Sequence, residues 1–186
     1  MNSPIAPSAI EGAHLSLRLV TEGDAAFIHA LRTDPAYNRH LSPVTGTVED
    51  QRAWIAAYKA REAAGDEAYY IIERRDSGRP CGTVRLYDIG ADSFTWGSWI
   101  LTGDKPPKAA LESAVLSFDV GFARLGKARA LIDVRRDNAR AIAFYRRFGM
   151  IETGADERDL FFECRPDHVT RAREALRRQS VAVSAR

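Results

Sequence analysis

Asn138 and Tyr145 stand seven residues apart, two turns of a helix, so both side chains project to similar sides of it. A phenol with an ordinary pKa of about 10 can give its proton to a departing thiolate whose thiol titrates near about 8.5. The amide of Asn138, just past a strand end, offers a donor and an acceptor to an amide-bearing ligand. Each residue also has a plainer role open to it: Tyr145 as a half-buried packing residue, Asn138 as a helix N-cap. A second stretch, Lys105-Pro106-Pro107-Lys108-Ala109-Ala110, opens a long segment with an apolar stripe. Unpaired N–H groups and the dipole at a helix start favour an anion there. Pro106 and Pro107 remove two donors, while Lys105 and Lys108 bring charge and the N–H groups of Lys108, Ala109 and Ala110 stay available. Asp104 is placed to cap this helix. The plainer reading is prolines in a favoured first turn beside solvated lysines.

The elements that must position these groups follow from periodicity. Residues 15–20 alternate as a strand; Thr21 with Asp24 starts a helix carrying Ala25, Phe27, Ile28 and Leu31. Asp34-Pro35 ends it, and 38–47 reads as a loop. Thr47 with Asp50 opens a helix with Trp54, Ile55 and Tyr58, running to about 64–65. Strands follow at 68–73, 82–89 and 94–101, parted by turn residues. A helix over 105–125 has Leu111, Val115, Phe118, Phe122 and Leu125 on one face and is closed by Gly126. A strand at 130–134, a helix at 138–148 ended by Gly149, two strands within 151–164 and an exposed basic helix at 167–178 complete the order. The order predicts an α+β fold with a mixed sheet, because a strand-helix-strand crossover favours parallel pairing.

Composition narrows the classes of function. The 186 residues suit one core, and 27 basic against 25 acidic residues leave a net charge of +2, which requires neither nucleic acid nor a membrane surface as partner. No apolar run approaches the roughly 18–20 residues that span a bilayer, and residues 1–12 lack a secretory pattern. Cys81 and Cys164 lie far apart, and the histidines His14, His29, His40 and His168 have no metal-ligand spacing. A reducing, cytoplasmic setting without a metal is the expectation.

The run Asn138-Ala139-Arg140-Ala141-Ile142-Ala143-Phe144-Tyr145-Arg146-Arg147-Phe148-Gly149-Met150, behind the strand Leu131-Ile132-Asp133-Val134, resembles the motif of the GNAT superfamily of acetyl-CoA-dependent N-acetyltransferases. The element order over about 15–164 is similar too. Leu17-Arg18-Leu19-Val20 and Trp96-Gly97-Ser98-Trp99-Ile100 look like the branch that acetylates ribosomal-protein N-termini and amino sugars. The resemblance implies α/β/α layers around a mostly antiparallel sheet of about seven strands. It implies one acetyltransferase-like domain over 1–166, followed by a basic helix and frayed tail at 167–186. Acetyl-CoA is the implied cofactor, and the reaction is direct attack by a primary amine in a ternary complex. The acceptor is a small molecule such as an amino sugar, with a protein α-amine as the alternative and a non-catalytic binding domain as the rival; a homodimer is the usual assembly.

The resemblance also distributes roles. Tyr145 becomes the general acid, and Asn138 and Ala141 become cofactor contacts. The family's pyrophosphate loop, Gln/Arg-x-x-Gly-x-Gly/Ala, falls on Lys105 to Ala110, with Lys108 where glycine is expected. A backbone N–H near Ile100 or Leu101 polarises the thioester carbonyl. The strand glutamate that many relatives use as base is Thr95 here. Asp88, Glu73, His40 or a water chain are the substitutes, none of them assigned. Trp96 and Trp99 are candidate acceptor contacts, and Asn38 and His40 candidate walls of the acceptor cleft.

Overall fold

The computed structural model of the protein describes residues 6–184. Eight strands, β1 (Ala9–Glu11), β2 (Leu15–Leu19), β3 (Ala68–Arg74), β4 (Pro80–Tyr87), β5 (Ser93–Leu101), β6 (Arg129–Arg135), β7 (Ile151–Ala155) and β8 (Asp159–Cys164), form one sheet in the order β1-β2-β3-β4-β5-β6-β8-β7. The predicted mixed, mostly antiparallel α+β design is what forms. β1 is the strand beyond the predicted seven; three residues are too few for alternation to be visible. Every neighbouring pair is antiparallel except β5 and β6, which a helix rather than a hairpin connects.

Helices cover both faces of the sheet. Tyr69 and Ile71 of β3 point to one face, where they are buried with Ile28 of α1 (Ala25–Thr33) and Ile55 and Tyr58 of α3 (Val48–Ala64). Their neighbours Ala68, Tyr70 and Ile72 point the other way, into the larger core with Trp96 and Phe118. Tyr70 therefore belongs to that core, its hydroxyl donating to Pro7 O at 2.8 Å. Local chemistry sets the boundaries. Thr47 and Asp50 form the capping box of α3, and Gly65 ends it at φ 81°. Asp34 stops α1 but also caps α2 (Pro35–Asn38), accepting from the Ala36 N–H at 2.8 Å, so the expected loop begins with a helical turn.

The predicted helix over 105–125 divides. Pro106 and Pro107 delay its start, and α4 spans Ala109–Asp119. A π turn, Val120–Arg124, continues it, with the Leu125 N–H donating to Val120 O at 2.9 Å. The widened turn seats Gly121 against Phe94, where a Cβ would run into the ring. Glu112 of α4 is buried yet satisfied, accepting the N–H groups of His14 and Leu15 at 2.8 and 3.1 Å and so fastening the β1–β2 turn to the helix. The last helix, α6 (Pro166–Ser184), is less exposed than its charges suggest. Val169 and Ala172 are buried, and Arg173 pairs with Asp119 of α4. Residues 185–186, part of the expected frayed tail, lie outside the described residues. Among the described residues no helix is long and apolar enough to cross a membrane.

Candidate active site

The parallel ladder between β5 and β6 is short, joining only Ser93, Phe94 and Thr95 to Arg129, Ala130 and Leu131. Beyond it the strands part, leaving one edge of β5 unpaired from Trp96 onward. The Thr102 N–H donates to Cys81 O at 2.9 Å, so the alternation of an antiparallel ladder turns the N–H of Leu101 away from β4, towards this fork. The N–H of Ile100, opposite Thr83, faces β4 instead. Of the two expected carbonyl-polarising positions, Leu101 is the one whose donor is open.

Tyr145 stands at the base of the fork, on α5 (Ala139–Phe148). Three-residue spacing buries Ile142, Tyr145 and Phe148 together. The Tyr145 ring meets Trp96 at 6.2 Å and Phe162 at 5.5 Å, and only 5% of the residue is exposed. Packing therefore claims the ring, but the hydroxyl bonds to no described residue. Burial pushes the phenol well above its ordinary pKa, and the Asp133 carboxylate of β6 adds to the shift. Asn138 is the N-cap, its Oδ1 accepting the Ala141 N–H at 3.2 Å. That bond occupies the amide oxygen of Asn138 and the N–H of Ala141 alike.

The helix start that opens α4 keeps the geometry of the missing glycine. Lys108 has φ 63° and ψ 8°, the left-handed region that favours glycine. No side chain caps α4. Asp104, expected to do so, instead bonds Arg79, and its carbonyl accepts from Arg74 at 2.6 Å, so its charge is matched away from the helix axis. The Ala109 N–H, expected to be free, donates to Pro106 O at 3.2 Å. Those of Lys108, Ala110 and Leu111 have no acceptor among the described residues. Lys105 is tethered through Nζ to Thr102 O at 3.2 Å, and Lys108 is exposed. The mouth of α4 thus presents open donors and two cations, a fit for a diphosphate.

On the opposite face of the sheet a cavity of about 650 Å³ opens onto the fork, bounded there by Gly97 and Ser98 of β5 and by Asp133 and Arg135 of β6. Its outer wall is the α2–α3 connection, including His40, Leu41, Ser42 and Val44, with Trp54 of α3. His40 is held by Asp137, Nδ1 to Oδ1 at 3.1 Å, which pins this connection beside the start of α5. Asn38 does not reach the cavity; its Nδ2 donates to Arg32 O at 3.2 Å and finishes α2. Trp96 and Trp99, expected as acceptor contacts, do not face the cavity either. Their indole N–H groups donate to Ser117 and Ser113 of α4 at 2.9 and 3.1 Å, on the far face of the sheet.

The expected substitutes for a base fare differently. Glu73 is paired with Arg18 at 2.7 Å, and Asp88 lies outside the cavity lining; His40 alone of the three faces it. Sequence reasoning missed Asp133. Its pattern was present, since Leu131, Asp133 and Arg135 alternate with the buried Ala130, Ile132 and Val134. Of the carboxylates that line the cavity, Asp50 accepts from Thr47 and Asp159 from Arg135. Asp133 has no hydrogen-bonding or ionic partner among the described residues. Tyr87, whose pKa burial and Asp133 both raise, completes this side.

Comparison with known proteins gives a consistent result. Residues 14–151 match the family model described as the acetyltransferase (GNAT) domain. Comparison with curated proteins gives no match. Among solved structures, the chain is similar to apo FdhC, a nucleotide-linked sugar GNAT, with 35% identity over 96% of this chain and 98% of that one and a TM-score of 0.82. RimJ of Mycobacterium smegmatis, in complex with CoA-disulfide, shares the fold at 20% identity, 87% and 88% coverage and a TM-score of 0.72. Spermidine N-acetyltransferase from Vibrio cholerae, in complex with CoA and spermine, does so at 17% identity, 86% and 99% coverage and a TM-score of 0.73.

Proposed function

Because this chain belongs to the GNAT family of acetyltransferases and so draws its acyl group from acetyl-CoA, we propose that its acceptor is the primary amine of a small molecule, an amino sugar or close analogue, bound in the cavity above the fork. The observation that carries this reading is the meeting of three groups at one place: the Tyr145 hydroxyl, the unpartnered Asp133 carboxylate and the free edge of β5. The similarity to FdhC, a nucleotide-linked sugar GNAT, supports an amino-sugar acceptor.

Bound acetyl-CoA supplies the acetyl group as a thioester. The open donors at the start of α4, with Lys105 and Lys108, would hold its diphosphate, and the unpaired edge of β5 would pair with its amides as an added strand does. The Leu101 N–H is the donor available to a carbonyl oxygen as charge develops on it. The amine must be neutral to attack, so Asp133 takes the proton it loses. As the carbon–nitrogen bond forms and the carbon–sulfur bond breaks, Tyr145 gives its proton to the departing sulfur. Its raised pKa keeps it in the acid form across the neutral range, so loss of that proton does not set the alkaline limb of activity below about pH 10.

Release of free CoA thiol with a panel of amines tests the reading. Tyr145→Phe is expected to lower kcat by roughly a hundredfold or more while the binding of acetyl-CoA is unchanged. Robust turnover confined to N-terminal peptides, or an unchanged rate in Tyr145→Phe, would reverse it.

A further inference from the structure

We infer that the acceptor carries an anionic group, a phosphate or a carboxylate, as well as its amine, and that Arg32, Tyr69 and Arg85 form the subsite for that group. The inference rests on the reading of the cavity as the acceptor site. Among the described residues four buried side-chain polar atoms lack a hydrogen-bond partner, and three of them belong to this one cavity: Arg32 Nε, Tyr69 Oη and Arg85 Nε. Tyr69 is 2% exposed, so solvent does not satisfy its hydroxyl. An unmet buried donor is destabilising, and native proteins satisfy such groups with a ligand, an ion or ordered water. Tyr69 and Arg85 are direct cross-strand partners on one face of β3 and β4, and the Arg32 charge bears on the same phenol.

All three atoms carry a proton to donate. A guanidinium Nε–H donates and cannot accept, and burial raises the Tyr69 pKa despite the nearby Arg32, Thr83 and Arg85, so the phenol keeps its proton. Three donors lining one cavity suit a group rich in acceptors. Charge points the same way. Glu67 neutralises Arg85 at 2.6 Å and Asp159 neutralises Arg135 at 3.1 Å. Arg32 has no carboxylate partner among the described residues; its guanidinium donates to the Ser42 carbonyl at 3.1 Å. Among the described residues that line the cavity, Arg32 is the guanidinium without a carboxylate, Asp133 has neither a cation nor a hydrogen-bond donor, and Asp50, also without a cation, is held by Thr47 at the start of α3. Arg32 and Asp133 together are complementary to a zwitterion. An ammonium is drawn to Asp133 beside the fork, and an anion to Arg32. A polyamine would bring a second cation against Arg32, and an amino sugar without an anionic group would offer hydroxyl acceptors but no charge to match it.

The test is thermal denaturation of protein saturated with CoA, so that phosphate compounds cannot register at the start of α4. The probes are glucosamine 6-phosphate, UDP-glucosamine, 4-aminobutyrate, glucosamine and spermidine. At least one of the first three should raise the melting temperature, while glucosamine and spermidine leave it unchanged; which of the three acts separates a phosphate from a carboxylate. Arg32→Gln should weaken the active probe by roughly ten- to a hundredfold, the loss of one hydrogen bond to a charged group. Tyr69→Phe should not lower the melting temperature of ligand-free protein, since removing a buried hydroxyl without a well-formed hydrogen bond is neutral or stabilising, yet it should weaken the same probe. No shift with any anionic amine overturns the inference. So does an equal shift with glucosamine, a shift with spermidine alone, or binding that survives both substitutions. The shift produced by CoA itself reports separately on the donor site.

Discussion

Lys108→Gly is the perturbation that bears most directly on the donor site. Lys108 holds φ 63° where the family pattern has glycine. A left-handed conformation costs a side-chain-bearing residue about 1–2 kcal/mol. Glycine removes that strain but adds freedom to the unfolded chain, which costs back roughly 0.5–1 kcal/mol. The net gain is about 1 kcal/mol, or about 2–4 °C in melting temperature for a chain of this size. Lys108→Ala is the control, because it loses the same charge and keeps the strain. Differential scanning calorimetry should therefore rank glycine above both lysine and alanine. Isothermal titration with CoA should find the two variants alike, each weaker than the parent by at most about fivefold, since an exposed cation contributes little. Their affinities should also fall less steeply with added salt. If alanine melts as high as glycine, residue 108 does not hold the glycine shape, and the account of a cradle kept without its glycine fails.

Two further outcomes follow from burial. Burial pushes the Cys81 thiol up to about 11 and raises Cys164 further, so native protein at pH 8 should show no thiol reactive towards Ellman's reagent and two per chain after denaturation. Rapid native labelling would contradict this. Burial alone would raise the Asp24 carboxyl, but hydrogen bonds from Arg18, at 2.8 Å to each oxygen, and from Thr21 bring it below its ordinary value. A depressed folded pKa gives stability that is present above the unfolded value of about 4 and lost as pH falls. Arg18→Gln should thus lower the melting temperature more at pH 7 than at pH 3, and parallel curves for variant and parent would refute it.

Much of the fold was legible because its signals are local. Thr47 with Asp50, Gly65 and Gly149 mark helix ends by chemistry that acts within four residues. The motif from Asn138 to Met150 fixed α5, and with it the place of Tyr145. The site was less legible because its decisive properties are relations between distant residues. An arginine at 32 and a tyrosine at 69 read as ordinary positions on a helix and a strand. That their donors lack partners appears only once β3, β4 and the end of α1 are brought to one cavity. Asp104 illustrates the converse. Its cap at α4 was plausible by spacing, yet Arg79 and Arg74, from another turn, claim it.

The misplacement of Trp96 and Trp99 has a single cause, and it explains the shape of the cavity proposed to take the acceptor. Strict alternation would send residues three apart on a strand to opposite faces. Ser98 breaks the count: it adopts φ 48°, its carbonyl accepts from Thr83 Oγ1 at 2.9 Å, and the β4–β5 register slips between Thr83 and Arg85. Both indoles consequently fall on the α4 face, with ring centroids 5.0 Å apart. The bulge leaves Gly97 and Ser98 as the β5 residues that line the cavity at the fork. Two small residues there leave room for an amine to approach the β5 edge, where an indole on that face would fill the space. The same irregularity that moved the aromatics into the core thus leaves the cavity open to the unpaired edge of β5.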